Sequence, residues 1–346
     1  ECTRLINALF FVASVPFIYS IARKYLSKRY ALWVTTLSVF SPINSYSAYF
    51  MPESMYFFGF TLLTWIIVKG LDNKPWLMVV LAGATLACVS MVKVHAVFLF
   101  VGLWVALFSS WLSERSLKIM KRATMFALVS FLVFLIVRFV LGYLIVGKAG
   151  LSILGQDYAA TASSASGIGR VLNLLPLVGY NLWGNLLAVA VIFGLPLALL
   201  LDIPLNKSSE HSSKQRDLRV LKLYLASLLF SLLLITAIFF AIIQGASQYE
   251  SISRLSLRYY DFLFPLLLIV VAACLESSFE RKPQSMWTLL VFVVIAALVG
   301  YALATQLKGY TPNLADGPEL RAFTYNKLVF LSLGGLGFFC LILGIF

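Results

Sequence analysis

Three side chains interrupt otherwise apolar sequence: the carboxylate Glu53, the ammonium Lys93 and the imidazole His95. Glu53 sits in AYFMPESMYFF, residues 48–58, one position after Pro52. Proline donates no backbone hydrogen bond and pushes the preceding residue out of helix, so the chain turns here and a helix starts at about Glu53–Ser54. A carboxylate in a first helical turn is favoured by the dipole. Glu53 is therefore either a helix-start acid at the membrane interface or a group pointing into a cavity. In a cavity it could bind a metal, orient an acceptor hydroxyl or move a proton. In MVKVHAV, residues 91–97, only Lys93 and His95 are polar. Lys93 could hold a phosphate as a point charge, or it could snorkel from a helix end. His95 suits the same site or a hydrogen-bonded place at the interface.

A second cluster is RLSLRYYDFLFP, residues 254–265. On a helix Arg254 and Arg258 share a face. With Tyr259 beside them they would suit a pyrophosphate or a phosphosugar, or form an arginine–tyrosine belt at the interface. Arg138, inside FLIVRFVLG, is a cation in mid-run and is expected to pair with an acid or a carbonyl of another helix.

The elements that must position these groups are apolar. The 346 residues are 61% hydrophobic and 12% charged, with a mean hydropathy of +0.93. Soluble domains carry about 25% charged residues, so this composition excludes a water-soluble core. Eleven apolar runs stand near 5–22, 30–49, 55–68, 76–92, 96–111, 123–146, 178–201, 223–243, 259–275, 287–306 and 328–346. A spanning helix needs about 20 apolar residues, so the third run is short unless it starts at the Glu53 turn. The sequence predicts an all-α polytopic integral membrane helix bundle of about eleven transmembrane helices, forming one domain over residues 1–346.

The net charge of +13 would suggest nucleic acid in a soluble protein. Here it follows the positive-inside rule, and no nucleic-acid partner is expected. With the first residue outside and the runs alternating, seventeen Lys and Arg between Arg23 and Lys282 fall in inner connections. Eight, among them Lys93, Arg254 and Arg258, fall in outer ones. The expected outer loops are 147–177, 244–258 and 307–327. They carry Asp157, Tyr158, Arg170 and Glu250, while NKSSEHSSKQRD at 206–217 reads as a solvated inner tether. The four cysteines are scattered, without metal-ligand spacing, and no phosphate-loop or hydrolase motif is present.

Four stretches in order resemble the GT-C superfamily of polytopic glycosyltransferases. The relatives are the protein O-mannosyltransferases, the bacterial aminoarabinose transferases and the RgtA/B/C/D-like enzymes. ECTRLINALFFVASVPFIYSIARKYLSKRYAL, 1–32, is similar to the family's acid, R-L, apolar helix and basic turn. SPINSYSAYFMPESMYFFGFTLLTWII, 41–67, is similar to its S-P and P-D/E segment. SMVKVHAVFLF, 90–100, is similar to its L-T-K-x-x-A hairpin, and LRYYDFLFPLLLIVVAA, 257–273, to its R-Y and P helix.

The resemblance implies transfer of a sugar from a polyprenyl-phosphate or polyprenyl-pyrophosphate donor, with inversion. The acceptor would be a glycan, a lipid or a protein at the extracytoplasmic face of a bacterial cytoplasmic membrane. It implies that Glu53 orients the acceptor or a metal, and that Lys93, His95, Arg254, Arg258 and Tyr259 meet the donor phosphate. Asp157, Tyr158, Arg170 and Glu250 would belong to a loop over the sugar or acceptor. The family's acidic pair lies in the first external loop. That loop and the first helix are expected to precede residue 1, with Glu1 at the loop's membrane-proximal end. Relatives differ in their use of a divalent cation, so a cofactor stays open. The competing readings are a flippase for a lipid-linked sugar, which needs ionisable groups at mid-membrane, and a non-catalytic subunit of a glycan-assembly complex.

Overall fold

The computed structural model describes residues 2–48, 51–73, 75–114, 116–152, 168–202, 213–243, 257–277, 286–305, 317 and 327–343. Among them are eleven α-helices and no strands, one helix for each apolar run. They are α1 Cys2–Tyr25, α2 Lys28–Val39, α3 Glu53–Asn73, α4 Pro75–Val92, α5 Leu99–Glu114, α6 Leu117–Val146, α7 Ile168–Leu201, α8 Ser213–Ile243, α9 Phe264–Ser277, α10 Met286–Ala304 and α11 Lys327–Leu343. By length and composition six stretches can cross a membrane: Cys2–Tyr25, Pro75–Val92, Leu117–Leu151, Leu174–Leu201, Lys214–Ile242 and Met286–Ala304. The protein is an all-α polytopic membrane bundle. Helix α3 has 21 residues but is more polar, and its Thr61 and Thr64 are buried.

The departures from continuous runs have local causes. Run 30–49 gives the twelve-residue α2 and then a 3-10 segment, Pro42–Ala48, because Pro42 ends the helical hydrogen bonding. Run 96–111 opens as a 3-10 turn, Val94–Phe98, and becomes α-helical at Leu99. Run 259–275 opens as two 3-10 turns, and α9 starts at Phe264 with Pro265 in its first turn, where a missing amide costs nothing. Helices α7 and α8 each start about ten residues earlier than expected. Arg170, read as loop, is thus in the first turn of α7, and 213–217 of the expected tether are helical. Helix α7 breaks at Phe193, three residues before Pro196, whose ring collides with the preceding turn.

The helices gather into two compact units. The first holds α1–α6 with Arg219–Ser231 of α8, and the second holds α7, α9–α11 and the rest of α8. In the first unit α1 and α3 run parallel at a constant offset. Asn7 Nδ2 donates to the Met51 carbonyl at 3.0 Å, and Lys24 Nζ donates to the Val68 carbonyl at 2.9 Å. Between these ends Phe11 stacks on Phe57, Phe17 meets Phe58 and Trp65, and Trp65 Nε1 donates to Ser20 Oγ at 3.0 Å. Helix α4 returns antiparallel to α3, with Gly70 against Met78 and Gly59 against Val89. Tyr224 of α8 shares a 3.0 Å hydrogen bond with Thr64 of α3. In the second unit α7 carries α10 and α11, with Gly194 against Leu341 and Val299.

Helix α4 packs on α6 where Gly83 lets the Ser130 carbonyl and the Phe134 amide approach. Those neighbours are backbone and cannot give way. Gly83→Val should therefore destabilise the bundle by about 1–3 kcal/mol. Gly335→Ala, where a methyl meets open space, should not. Thermal midpoints of the two variants in one detergent check this, and equal midpoints would remove the close contact as a constraint.

Candidate functional site

Glu53 is the first residue of α3, and the Pro52 carbonyl accepts the first helical bond from the Tyr56 amide at 2.9 Å. Asn7, 3% exposed within α1, fixes this turn from the other side through Met51. The Glu53 carboxylate thus enters at the dipole-positive end of α3, with its side chain 12% exposed.

Lys93 ends α4. Its backbone turns extended (φ −142°, ψ 123°), its amide bonds the Val89 carbonyl at 3.0 Å, and its carbonyl accepts from Ala96 at 3.0 Å. Because α4 is antiparallel to α3, this break lies beside the start of α3. Lys93 Nζ reaches Glu53 Oε1 at 3.0 Å. The same ammonium stands 5.3 Å from the centre of the Tyr56 ring, which meets the His95 ring edge-on at 5.2 Å. The Glu53 Oε2 and Ser54 Oγ atoms are buried, with no hydrogen-bond partner among the described residues. Carboxylate, ammonium and imidazole so gather around one tyrosine at one end of α1, α3 and α4. Lys24 and Lys69 lie toward the other end.

The expected residues divide clearly. Glu53, Lys93 and His95 come together. Arg258 and Tyr259 form a pair in the second unit: Arg258 Nη2 donates to the Tyr259 hydroxyl at 3.1 Å, the guanidinium carbon Cζ lies 5.0 Å over the Tyr259 ring, and Tyr259 meets Phe240 edge-on at 5.9 Å. Arg258 is in a 3-10 turn, Leu257–Tyr259, so the expected α-helical face shared with Arg254 is not what positions it. The extended Leu257–Leu263 turns bury Tyr260 and Asp261 instead. Glu1, Asp157, Tyr158, Glu250 and Arg254 lie outside the described residues, as does the side chain of Arg170.

Arg138 is 7% exposed and bonds two carbonyls, Gly150 at 2.9 Å and Ser152 at 3.0 Å. These belong to the turn after its own helix rather than to another helix. Gly147, at φ +66°, reverses the chain there, and Gly142 and Gly150 let the two backbone segments touch. The cation is consumed structurally.

Two groups escaped sequence reasoning. Asn7 is the one amide in an apolar helix, and Tyr56 stands three residues after Glu53, one helical turn away. The described residues hold no group of three or more His, Cys, Asp or Glu side chains. Glu53 and His95 are the metal-competent side chains at this place.

Fold and polar cluster together define a polytopic membrane protein with an ionisable cluster at one end of its first helix unit. The family model that matches is that of the dolichyl-phosphate-mannose-protein mannosyltransferases, over residues 2–147. That stretch is less than half of the chain, and it contains α1 to α6 with Glu53, Lys93 and His95. No curated protein and no solved structure gives a match.

Asn7→Leu leaves the Met51 carbonyl without its donor inside the bundle. It should lower stability by about 1–3 kcal/mol. The thermal midpoint of purified protein reads this, and an unmoved midpoint would take Asn7 out of the turn's support.

Proposed function

We propose that the protein transfers a sugar from a polyprenyl-phosphate donor to an acceptor hydroxyl at the outer face of a bacterial cytoplasmic membrane. The observation that carries this reading is the half-used carboxylate: Glu53 gives one oxygen to Lys93 and keeps a buried second oxygen with no hydrogen-bond partner among the described residues. Glu53 Oε2 is the atom that takes the acceptor hydroxyl, and Lys93 is the cation for the phosphate. The outer assignment rests on the charge distribution, seventeen basic residues in inner connections against eight in outer ones.

The chemistry follows from these two side chains. The bond between the anomeric carbon and the donor's phosphate oxygen breaks, and the electron pair leaves on the lipid phosphate. A bond from the acceptor oxygen to that carbon forms on the opposite face, with inversion. The acceptor proton passes to Glu53, and Lys93 stabilises the charge that grows on the phosphate. A polyprenyl phosphate is already a good leaving group, so alignment and charge are most of what the protein must supply. The tail stays in the bilayer, which suits a site at the end of membrane helices.

A flippase would need ionisable side chains free to act at mid-membrane. Arg138, the expected example, is bound to the Gly150 and Ser152 carbonyls.

Removing the carboxylate's proton affinity while keeping its shape separates chemistry from folding. Glu53→Gln should cut transfer per folded molecule by about a hundredfold or more. The measurement is label transfer in membranes from a panel of polyprenyl-phosphate sugars, mannose first. Wild-type turnover by that variant would remove Glu53 from the reaction.

A further inference from the structure

We propose that the donor's phosphate takes Lys93 away from Glu53, so that donor binding itself releases the carboxylate for the acceptor. This rests on the reading of the site given above and adds the order in which the site is used.

Lys93 Nζ is held at 3.0 Å by Glu53 Oε1, and both side chains are mostly buried, 13% and 12% exposed. This pair keeps Oε1 on the ammonium and away from an acceptor hydroxyl. It is also an incomplete pair. Glu53 Oε2 has no hydrogen-bond partner among the described residues, and the ammonium's second neighbour is the face of Tyr56 at 5.3 Å. A ring face attracts a cation without fixing its direction. The ammonium sits on a flexible four-carbon stem and donates in three directions. It can remain over Tyr56 while its hydrogen bond turns from one anion to another.

A phosphate is the anion that wins this exchange. It offers several strong acceptor oxygens where Glu53 offers Oε1 alone. Once Lys93 has turned, Glu53 Oε1 is released beside Oε2, and the carboxylate can accept from the acceptor hydroxyl. His95 and Tyr56 are the other titratable side chains of this cluster; Tyr56 separates His95 from the ammonium. The acceptor hydroxyl then meets a carboxylate whose oxygens are both released because the donor is present. Without donor Oε1 stays on Lys93, which keeps the site from engaging a hydroxyl when no sugar is there to be transferred.

The exchange makes a counter-intuitive demand on binding. If Glu53 competes with phosphate for Lys93, removing the competitor must tighten binding even as it stops turnover. The probe is radiolabelled farnesyl phosphate, with farnesol as the control for the tail, bound to the full chain in lipid nanodiscs. Glu53→Gln should bind farnesyl phosphate about three- to tenfold tighter than the wild type, the scale of one partly buried ion pair, with farnesol unaffected. Lys93→Met should bind it about tenfold more weakly. In the Lys93→Met background the Glu53→Gln change should have no effect, since no ammonium is left to compete for. Glu53→Ala gives the same measurement if the glutamine variant does not fold.

If Lys93→Met weakens binding but Glu53→Gln leaves it equal or weaker, the exchange is wrong and the phosphate site at Lys93 stands. If Lys93→Met binds as the wild type does, Lys93 is not the phosphate's cation, and the exchange falls together with that part of the proposed function.

Discussion

A charge placed in hydrocarbon must be neutralised within the protein, and the ion pair between Glu53 and Lys93 is where this bundle meets that demand. Either residue alone would be a buried charge at the end of a membrane helix. Together they are locally neutral and can be mostly withdrawn from water. The requirement fixes more than two side chains. Lys93 can reach Glu53 only if α4 returns antiparallel on α3 and stops beside the place where α3 starts. The glycines that bring α4 against its neighbours, Gly59, Gly70 and Gly83, thus set the distance between two ions at the end of the helices. Pro52 does the same from within the chain, since it decides that α3 begins at Glu53 and not a turn earlier.

The irregular backbone and the polar side chains occur together. Pro42–Ala48, which follows α2, and Val94–Phe98 and the turns over Leu257–Leu263, which open helices, are 3-10 segments, and they stand near Glu53, Lys93 with His95, and Arg258 with Tyr259. Backbone without full helical bonding is tolerated at membrane depth only where protein or a wet cavity surrounds it. These segments satisfy the rule: Ala96, Leu257, Tyr260, Phe262 and Leu263 are buried. The turn after Gly147 obeys it by another route, with Arg138 supplying donors to two of its carbonyls. In each case a break in the helix releases backbone polarity that nearby protein must absorb, and the same break aims side chains in directions a regular helix does not offer.

The helix count was readable because each helix must bury or span with an apolar run, and composition alone reports that. So was the start of α3, which Pro52 dictates through its missing amide. The 3-10 openings were hidden, because hydrophobicity does not distinguish a tight turn from an α-turn. The early start of α7 and α8 was hidden for a related reason: polar residues can be helical when tertiary packing supports them, and a hydropathy pattern ends where polarity begins. Tyr56 was unreadable as a site residue because it stands in a run of aromatic residues that looks like any lipid-facing or packing stripe. Its position between Lys93 and His95 depends on the antiparallel register of α3 and α4, which no local pattern encodes. Arg138 was readable as a buried cation in need of an acid or a carbonyl, expected from another helix. That its own chain would fold back to supply carbonyls depended on Gly147 and on the contact of Gly142 with Gly150.

Helix α1 supplies neither ion, yet the site depends on it. Asn7 bonds Met51 and Lys24 bonds Val68, so both contacts join residues 44 apart in sequence, and the donors are 17 residues apart on the same helix. At 1.5 Å per residue they clamp α3 to α1 at points roughly 25 Å apart. Two such points leave no room for α3 to slide, since a slip that kept one bond would break the other. The stacked pair Phe11 and Phe57 and the edge contacts of Phe17 fill the length between them. A slip of one helical turn would move Glu53 by about 5.4 Å, more than its separation from Lys93. An apolar interface alone would tolerate such a slip, because one aromatic side chain replaces another at small cost. The two polar clamps make the register discrete, and with it the meeting of a carboxylate and an ammonium at the end of the bundle.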